Sequence, residues 1–407
     1  MMVLLSESEQ AYIRQGCWDD CRVDGRTRND YDSGKTIFVV GGGGGDPTTT
    51  NDNKNDNDTP HSSLSPSLGL LPLCHGSGRF RSNDLEMLCS IKAQILLIEN
   101  GNPSLDAHPS SSLQVHFDYA HTLHQQHQSQ TSTTIKQTLD QWQSQFTSLV
   151  LSCSENQILQ DYLRIPSTIT TRDKDSATTA SQYQWQLTVD FLIVTINGGT
   201  ILEAASHLLR AVLRETILPA LETMTSSTTP STASTSHTTS RIAPPPQLLV
   251  NSDIRQAQNI PWTIVNHSVP MIVTVYIMEC GSSDDNVVAQ SKNQSFVLLL
   301  DATPQEEACA YAIVHFAVIP SSSSSSLSFH TNTTTTNMPY SICGVQTQTT
   351  SGAIPLSLLP TLSTLALQAI PQSQQAYRTV KLSKTKNQAI ATSSPRLLQE
   401  HYLLSSN

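Results

Sequence analysis

The segment from Trp185 to Pro219 constrains this chain more than any other. It opens Trp-Gln-Leu-Thr-Val-Asp-Phe-Leu-Ile-Val-Thr-Ile-Asn-Gly-Gly and then turns apolar at helical spacing. The β-branched and aromatic run predicts a buried strand, Gly198-Gly199 a turn, and Ile201–Leu218 a helix whose apolar residues cover most of its circumference. A strand ending in such a turn can host carboxylate chemistry. Yet Asp190 is the only carboxylate before Glu203, and Asn197 precedes the glycines. Metal-assisted phosphoryl transfer wants a second acid beside Asp190. Its same-face neighbours, Thr188 and Leu192, supply none, so the residues alone favour a buried, hydrogen-bonded structural Asp190.

Only 37% of the 407 residues are hydrophobic, below the usual globular share. Long Ser/Thr/Asn-rich tracts account for the deficit, and the remainder suffices for roughly two modest domains. Lys and Arg total 23 against 33 Asp and Glu, a formal net charge of −10. That argues against an autonomous high-affinity nucleic-acid binder, while leaving room for RNA contact through a local basic strip or within a complex. The eight cysteines are scattered, and only Cys17 and Cys21 lie close, which predicts reduced, buried thiols in an intracellular protein. Glu7 and Glu9 sit where a secretory signal would be basic, and no run of about 18 apolar residues predicts a membrane span.

Ser6 with Glu9 fits a capping box opening a short helix over residues 6–16. Strands are expected at Thr36–Val40, Arg79–Arg81, Glu86–Ile98 and Leu113–Phe117, and a helix over 133–151 that Ile158–Leu163 extends. In the second half strands are expected near Thr263–Val265, Met271–Met278, Phe296–Leu300 and Ile342–Thr347. Helical character is expected over Pro304–Val318 and near Pro355–Leu367. The chain divides into an N-terminal helix and extended segment (1–30), a first domain (31–222) with insertions near 41–75 and 168–182, and a Ser/Thr/Pro-rich linker (223–247). A second domain (248–390) with insertions near 281–293 and 320–338 follows, then a tail (391–407). Both halves run strands, helix, strand and helix, which predicts an α+β fold of two related halves.

Several constellations carry less chemistry than they suggest. Gly34-Lys35-Thr36 resembles the end of a phosphate-binding loop, but Asn29 stands where that loop needs glycine and a strand follows. Gly41–Gly45 has no helix behind it to aim amides at a phosphate. His121, His124 and His127 drift around a helix and lack a completing ligand, so no metal site is expected. Asp301, Glu306 and Glu307 read either as a magnesium or acid–base group or, preferably, as helix-capping carboxylates favoured by the macrodipole. Arg79, Arg81 and Lys92 form a small basic set, readable as RNA-phosphate contacts or as ordinary surface charge.

Four blocks together resemble one family. They are Tyr12–Arg26, Gly76–Gln94, Trp185–Pro219 and Leu300–Cys309, and they look like successive segments of RNase PH-like exosome ring subunits. The resemblance implies an α+β RNase PH-like fold of two related halves (ribosomal protein S5 domain 2-like), with low-complexity insertions at loops. It implies partners among other RNase PH-like exosome ring subunits and cap subunits, RNA reached through the assembled complex, no membrane and no cofactor. It further implies residence in nucleus, nucleolus and cytoplasm. Active members cleave RNA from its 3′ end with phosphate, using acids on the strand that corresponds to Asp190–Asn197. Here Asp190 matches one acid, while Leu192 and Asn197 replace others, so the implied role is non-catalytic. The alternatives are an active phosphate-dependent 3′-to-5′ exoribonuclease of the RNase PH type, or a diverged copy that keeps the fold without joining a complex.

Overall fold

Strict alternation in Leu113–Tyr119 buries Leu113, Val115 and Phe117 and exposes the residues between them, as period-two patterning requires. The computed structural model describes residues 5–32, 34–40, 74–98, 112–120, 131–151, 156–165, 182–196, 200–224, 247–251, 256–280, 295–321, 339–349 and 353–382. Asn197, Gly198-Gly199, the three spaced histidines, Gly41–Gly45, the tail, and the linker and insertions apart from their edge residues lie outside the described residues.

The helices are α1 (Glu7–Trp18), α2 (Thr131–Leu151), α3 (Asn156–Leu163), α4 (Ile201–Glu215), α5 (Trp262–Ser268), α6 (Pro304–Ala308) and α7 (Leu359–Ala376). The strands of the first half are β1 (Thr36–Val40), β2 (Gly76–Arg81), β3 (Leu85–Ile98), β4 (Leu113–Tyr119), β5 (Arg164–Ile165), β6 (Gln182–Ile196), β7 (Ile217–Leu218) and β8 (Leu221–Met224). Those of the second half are β9 (Gln247–Val250), β10 (Gln258–Asn259), β11 (Met271–Cys280), β12 (Ser295–Leu300), β13 (Ala312–Pro320), β14 (Tyr340–Thr349) and β15 (Arg378–Leu382).

The fold is α+β. A seven-stranded sheet runs β15-β1-β2-β3-β6-β4, with β5 also paired to β6, and a four-stranded sheet runs β12-β11-β13-β14. The β15–β1 and β4–β6 pairs are parallel, and the other ladders of these sheets are antiparallel. The last strand therefore returns to pair with the first, in the first sheet. Helix α4 lies between the sheets, against β1, β2 and β3 on one side and β11 on the other.

That placement rests on small residues. A Cβ at Gly78 would lie 2.6 Å from Val212 Cγ2 and 3.1 Å from the Phe38 carbonyl oxygen, so only glycine lets β2 approach α4 this closely. Further along the same face, Phe117 stacks on Phe191 at 4.8 Å and Phe146 of α2 meets both rings edge-on at 5.6 Å. Each such buried ring contributes about 1.5–3 kcal/mol relative to exposure.

Two expected elements differ. Thr263–Val265 lies in α5, not a strand: packing against α3 and α4 overrides the β-branched residues' preference. Pro304–Val318 is not one helix but the short α6 followed by β13. Eight of the nine β13 residues are buried, because neighbouring strands and helices cover both faces, so no alternation marks it as a strand. Ile158–Leu163 belongs to a separate α3, and the last helix begins at Leu359 after a 3-10 turn at Leu356–Leu358.

Candidate functional site: an open sheet face and a buried polar seam

Strand β6 is apolar toward α2 and α4, where Leu187, Val189, Phe191 and Ile193 are buried. Asp190 therefore points to the opposite face, and its side chain is 38% exposed. It is not the buried structural residue expected: the strand is fully covered on its apolar face, while the other face is open at Asp190. Lys92 Nζ sits 3.2 Å from Asp190 Oδ2. The register across the sheet is Ser90, Asp190, His116, with Leu192 facing Asp118 one step on. Asp118 is exposed and accepts the backbone N–H of Tyr119 at 2.7 Å.

Arg79, Arg81 and Lys92 share this open face. Arg79 is bound by Glu86 at 2.5 Å, Lys92 by Asp190, and Arg81 is exposed. The face carries basic groups, but two of the three are neutralised in place. Among the described residues no group of three or more His, Cys, Asp or Glu side chains is arranged to hold a metal ion.

The densest set of ionisable groups lies elsewhere. Helix α4 is buried at every residue except Arg214, including Glu203, Ser206, His207 and Arg210. These four recur at helical spacing and form a polar stripe facing the second half. Strand β12 pairs only with Val275–Cys280 of β11, leaving earlier N–H groups of β11 without a strand partner on that side. Ser206 Oγ accepts the Ile272 N–H at 3.0 Å and Glu203 Oε2 the Thr274 N–H at 3.2 Å. Two helix side chains thus finish the ladder where β12 stops. Arg210 donates to the carbonyl oxygens of Asn266 and Val269 and to Asn266 Oδ1.

The stripe continues into α7. Ser373 Oγ lies 3.0 Å from Glu203 Oε1 and 2.9 Å from His207 Nε2. The His207 ring stacks on Tyr377 at 4.1 Å, and the Tyr377 hydroxyl lies 3.4 Å from Lys35 Nζ. Burial raises the Glu203 carboxyl to about 7, against the lowering pull of Lys35. Burial also pushes His207 down to about 3 and His315 to about 4, so both rings are neutral.

Lys35 ends 2.5 Å from Asp301 Oδ1, and Arg26 Nη1 is 2.8 Å from Oδ2. Burial would raise the Asp301 carboxyl, but Lys35, the Asp32 N–H and Arg26 together hold it below its ordinary value. Asp301 has φ 49°, a left-handed conformation that aspartate tolerates and this network fixes. Glu306 closes a capping box with Thr303 and binds Arg22 at 2.6 Å, both side chains being fully buried. Arg22 also donates to the Leu300 and Asp301 carbonyl oxygens.

The capping reading thus holds for Glu306, and Lys35 is an internal counter-ion. Of the close cysteine pair, Cys17 is buried and Cys21 exposed. A cleft of about 720 Å³ borders this corner and is lined by Asp24, Asp30, Asp32 and Asp84, with Arg26 the one cation among its lining residues. Its charge disfavours phosphate groups.

No family model matches the sequence, and neither does any curated protein. Solved structures with related chain paths include an archaeal exosome core, at 10% identity and TM-score 0.45, covering 91% of this chain and 96% of that one. An Archaeoglobus fulgidus exosome with RNA bound to the active site gives the same identity and TM-score, with 91% and 97% covered. A TM-score of 0.45 does not establish a common fold. The function is therefore argued from the residues.

Proposed function

We propose that this chain is a non-catalytic subunit of an RNA exosome ring, supporting 3′-to-5′ RNA processing and degradation, including rRNA maturation and mRNA turnover. The observation that carries the reading is the state of Asp190. On the strand that bears the acids in active RNase PH-like proteins, Asp190 is bound to Lys92, with Thr188 and Leu192 as its neighbours on that face. A site that attacks RNA with phosphate needs acids in concert and a cationic pocket for the anion. On this face Lys92 and Arg79 are each engaged by a carboxylate. The four sequence blocks favour resemblance to the ring component called ribosomal RNA-processing protein 42.

The work of such a subunit is assembly. Other RNase PH-like ring subunits and cap subunits are its partners, RNA reaches it through the complex, and Arg79, Arg81 and Lys92 are its contact candidates. Nucleus, nucleolus and cytoplasm follow from the same reading. The test is co-purification of the full chain with exosome ring subunits, joined to a phosphorolysis assay on the wild type and Asp190→Ala. Co-purification without phosphate-dependent release of nucleoside diphosphates is expected. A well-behaved monomer that ignores the ring subunits would sink the reading. Asp190-sensitive release of nucleoside diphosphates would establish the exoribonuclease instead.

A further inference from the structure

We infer that Glu203, Ser373 and His207 form a reversible proton relay, through which the buried Glu203 gains and loses its proton by way of the His207 ring. The geometry is a chain of three atoms: Glu203 Oε1, Ser373 Oγ at 3.0 Å, and His207 Nε2 at 2.9 Å beyond it. A serine hydroxyl donates once and accepts at the same time, so the chain can run in either direction.

With Glu203 ionised, His207 Nε2–H donates to Ser373 Oγ, and the Ser373 hydroxyl donates to Glu203 Oε1. With Glu203 neutral, Glu203 Oε1–H donates to Ser373 Oγ, the Ser373 hydroxyl donates to His207 Nε2, and the ring carries its proton on Nδ1. Passing from the neutral to the ionised state moves the Glu203 proton to Ser373 and the Ser373 proton to Nε2, and releases the Nδ1 proton to solvent. One proton leaves, His207 begins and ends neutral, and both hydrogen bonds of the chain, Glu203–Ser373 and Ser373–His207, are kept in both states.

Most polar groups around the chain are engaged elsewhere, Arg210, which acts on His207, among them. The other oxygen of Glu203 accepts the Thr274 N–H, an amide that passes no proton. The Thr274 hydroxyl is engaged by His315 Nδ1 at 3.0 Å on the far side. Lys35, whose charge acts on Glu203, is bound to Asp301. The Tyr31 hydroxyl, from a side chain that lines the acidic cleft, also faces Ser373. Tyr377 holds the ring flat by stacking. Of the three relay members, Glu203 is 0% exposed, Ser373 1% and His207 8%, so the ring is the most exposed of them and the end of the chain to which the proton exit is assigned. Because Glu203 and Ser373 tie α4 to β11 and α7, the relay makes the clasp between the two sheets responsive to pH.

The test is nitrogen-15 NMR of histidine-labelled full chain from pH 5.5 to 8.5, with His207 assigned by the signal lost in His207→Asn. The His207 ring should change from the Nδ1–H to the Nε2–H tautomer as pH rises, without populating the doubly protonated ring. Ser373→Ala should abolish the tautomer change and slow proton exchange at the Glu203 carboxyl, read by carbon-13. A single His207 tautomer across the range in the wild type overturns the relay, and the wild-type measurement needs no variant to fold. A tautomer change that survives Ser373→Ala overturns it as well.

Discussion

Asp190 and Glu203 stand on consecutive elements, and their surroundings differ completely. Asp190 lies on the open face of the first sheet, 38% exposed, with Lys92 beside it. Glu203 lies 0% exposed between two sheets, held by a serine and a backbone amide. On the open face the charges are screened by water and exchangeable. In the seam each polar group must find a partner, because an unpaired buried one costs several times what a surface ion pair contributes. The open-face charges of the strand that invites an enzymatic reading therefore carry little of the fold's energy, while a helix that invites no functional reading carries the polar joint between the halves.

The sharpest way to break this contrast is at the Arg22–Glu306 pair. Arg22→Met should cost about 3–5 kcal/mol, because it leaves the Glu306 carboxylate buried without its cation. Urea unfolding of the full chain measures this, and adding Glu306→Leu should restore only part of it, because the capping box is lost and the Leu300 and Asp301 carbonyl oxygens still lack the Arg22 donors. A small loss in Arg22→Met alone would remove the distinction between seam and surface.

Next in size is the pH response of Glu203. Its carboxyl is raised to about 7 from 4.5, so the folded state holds the proton more tightly. That contribution is present below about pH 4.5 and is lost as pH rises through about 7. Glu203→Gln removes it, so the variant should gain stability relative to the wild type over that window, by about 3 kcal/mol in total. The depressed His207 and His315 act in the opposite sense, stabilising as pH rises past their folded values, but they are common to both proteins. Unfolding free energies at pH 5 and pH 8 give the comparison.

Gly78→Ala probes where the covered face of the same sheet meets α4. The new methyl group would collide with Val212 and the Phe38 carbonyl, and a loss of about 1–3 kcal/mol in thermal unfolding is expected. The smallest effect belongs to Asp190→Ala. It removes one partly exposed ion pair and should change stability by less than about 1 kcal/mol. A larger loss would mean that the open face is a structural surface in its own right.

Much of the fold was legible where local chemistry is self-sufficient. The Ser6–Glu9 capping box forms as its spacing predicts, with Glu9 Oε2 accepting the Ser6 N–H at 2.8 Å. The alternation in β4 and the near-total burial of α4 follow from their patterns. Strand β13 was not legible, because a strand buried on both faces and a buried helix share the same apolar run. Nor was α5, where β-branched residues yield to tertiary packing. The seam was half-legible: Glu203, Ser206, His207 and Arg210 form a stripe at helical spacing, which on an isolated helix would read as its wet side. Nothing local says that Ser373, Lys35 or Thr274 would meet it.

The sequence by itself determined most of the strands and helices, which face of the alternating strands is apolar, and that Asp190 has no acid beside it on its own strand. Those properties depend on residues a few positions apart, and short-range sterics and hydrophobic periodicity decide them. Only the tertiary structure decided that Asp190 faces outward onto Lys92, that Lys35 answers Asp301, and that a helix's polar side is buried along with its apolar one. Those outcomes depend on which surfaces remain uncovered once the sheets have packed, and the contacts responsible join residues as far apart as Arg22 and Glu306.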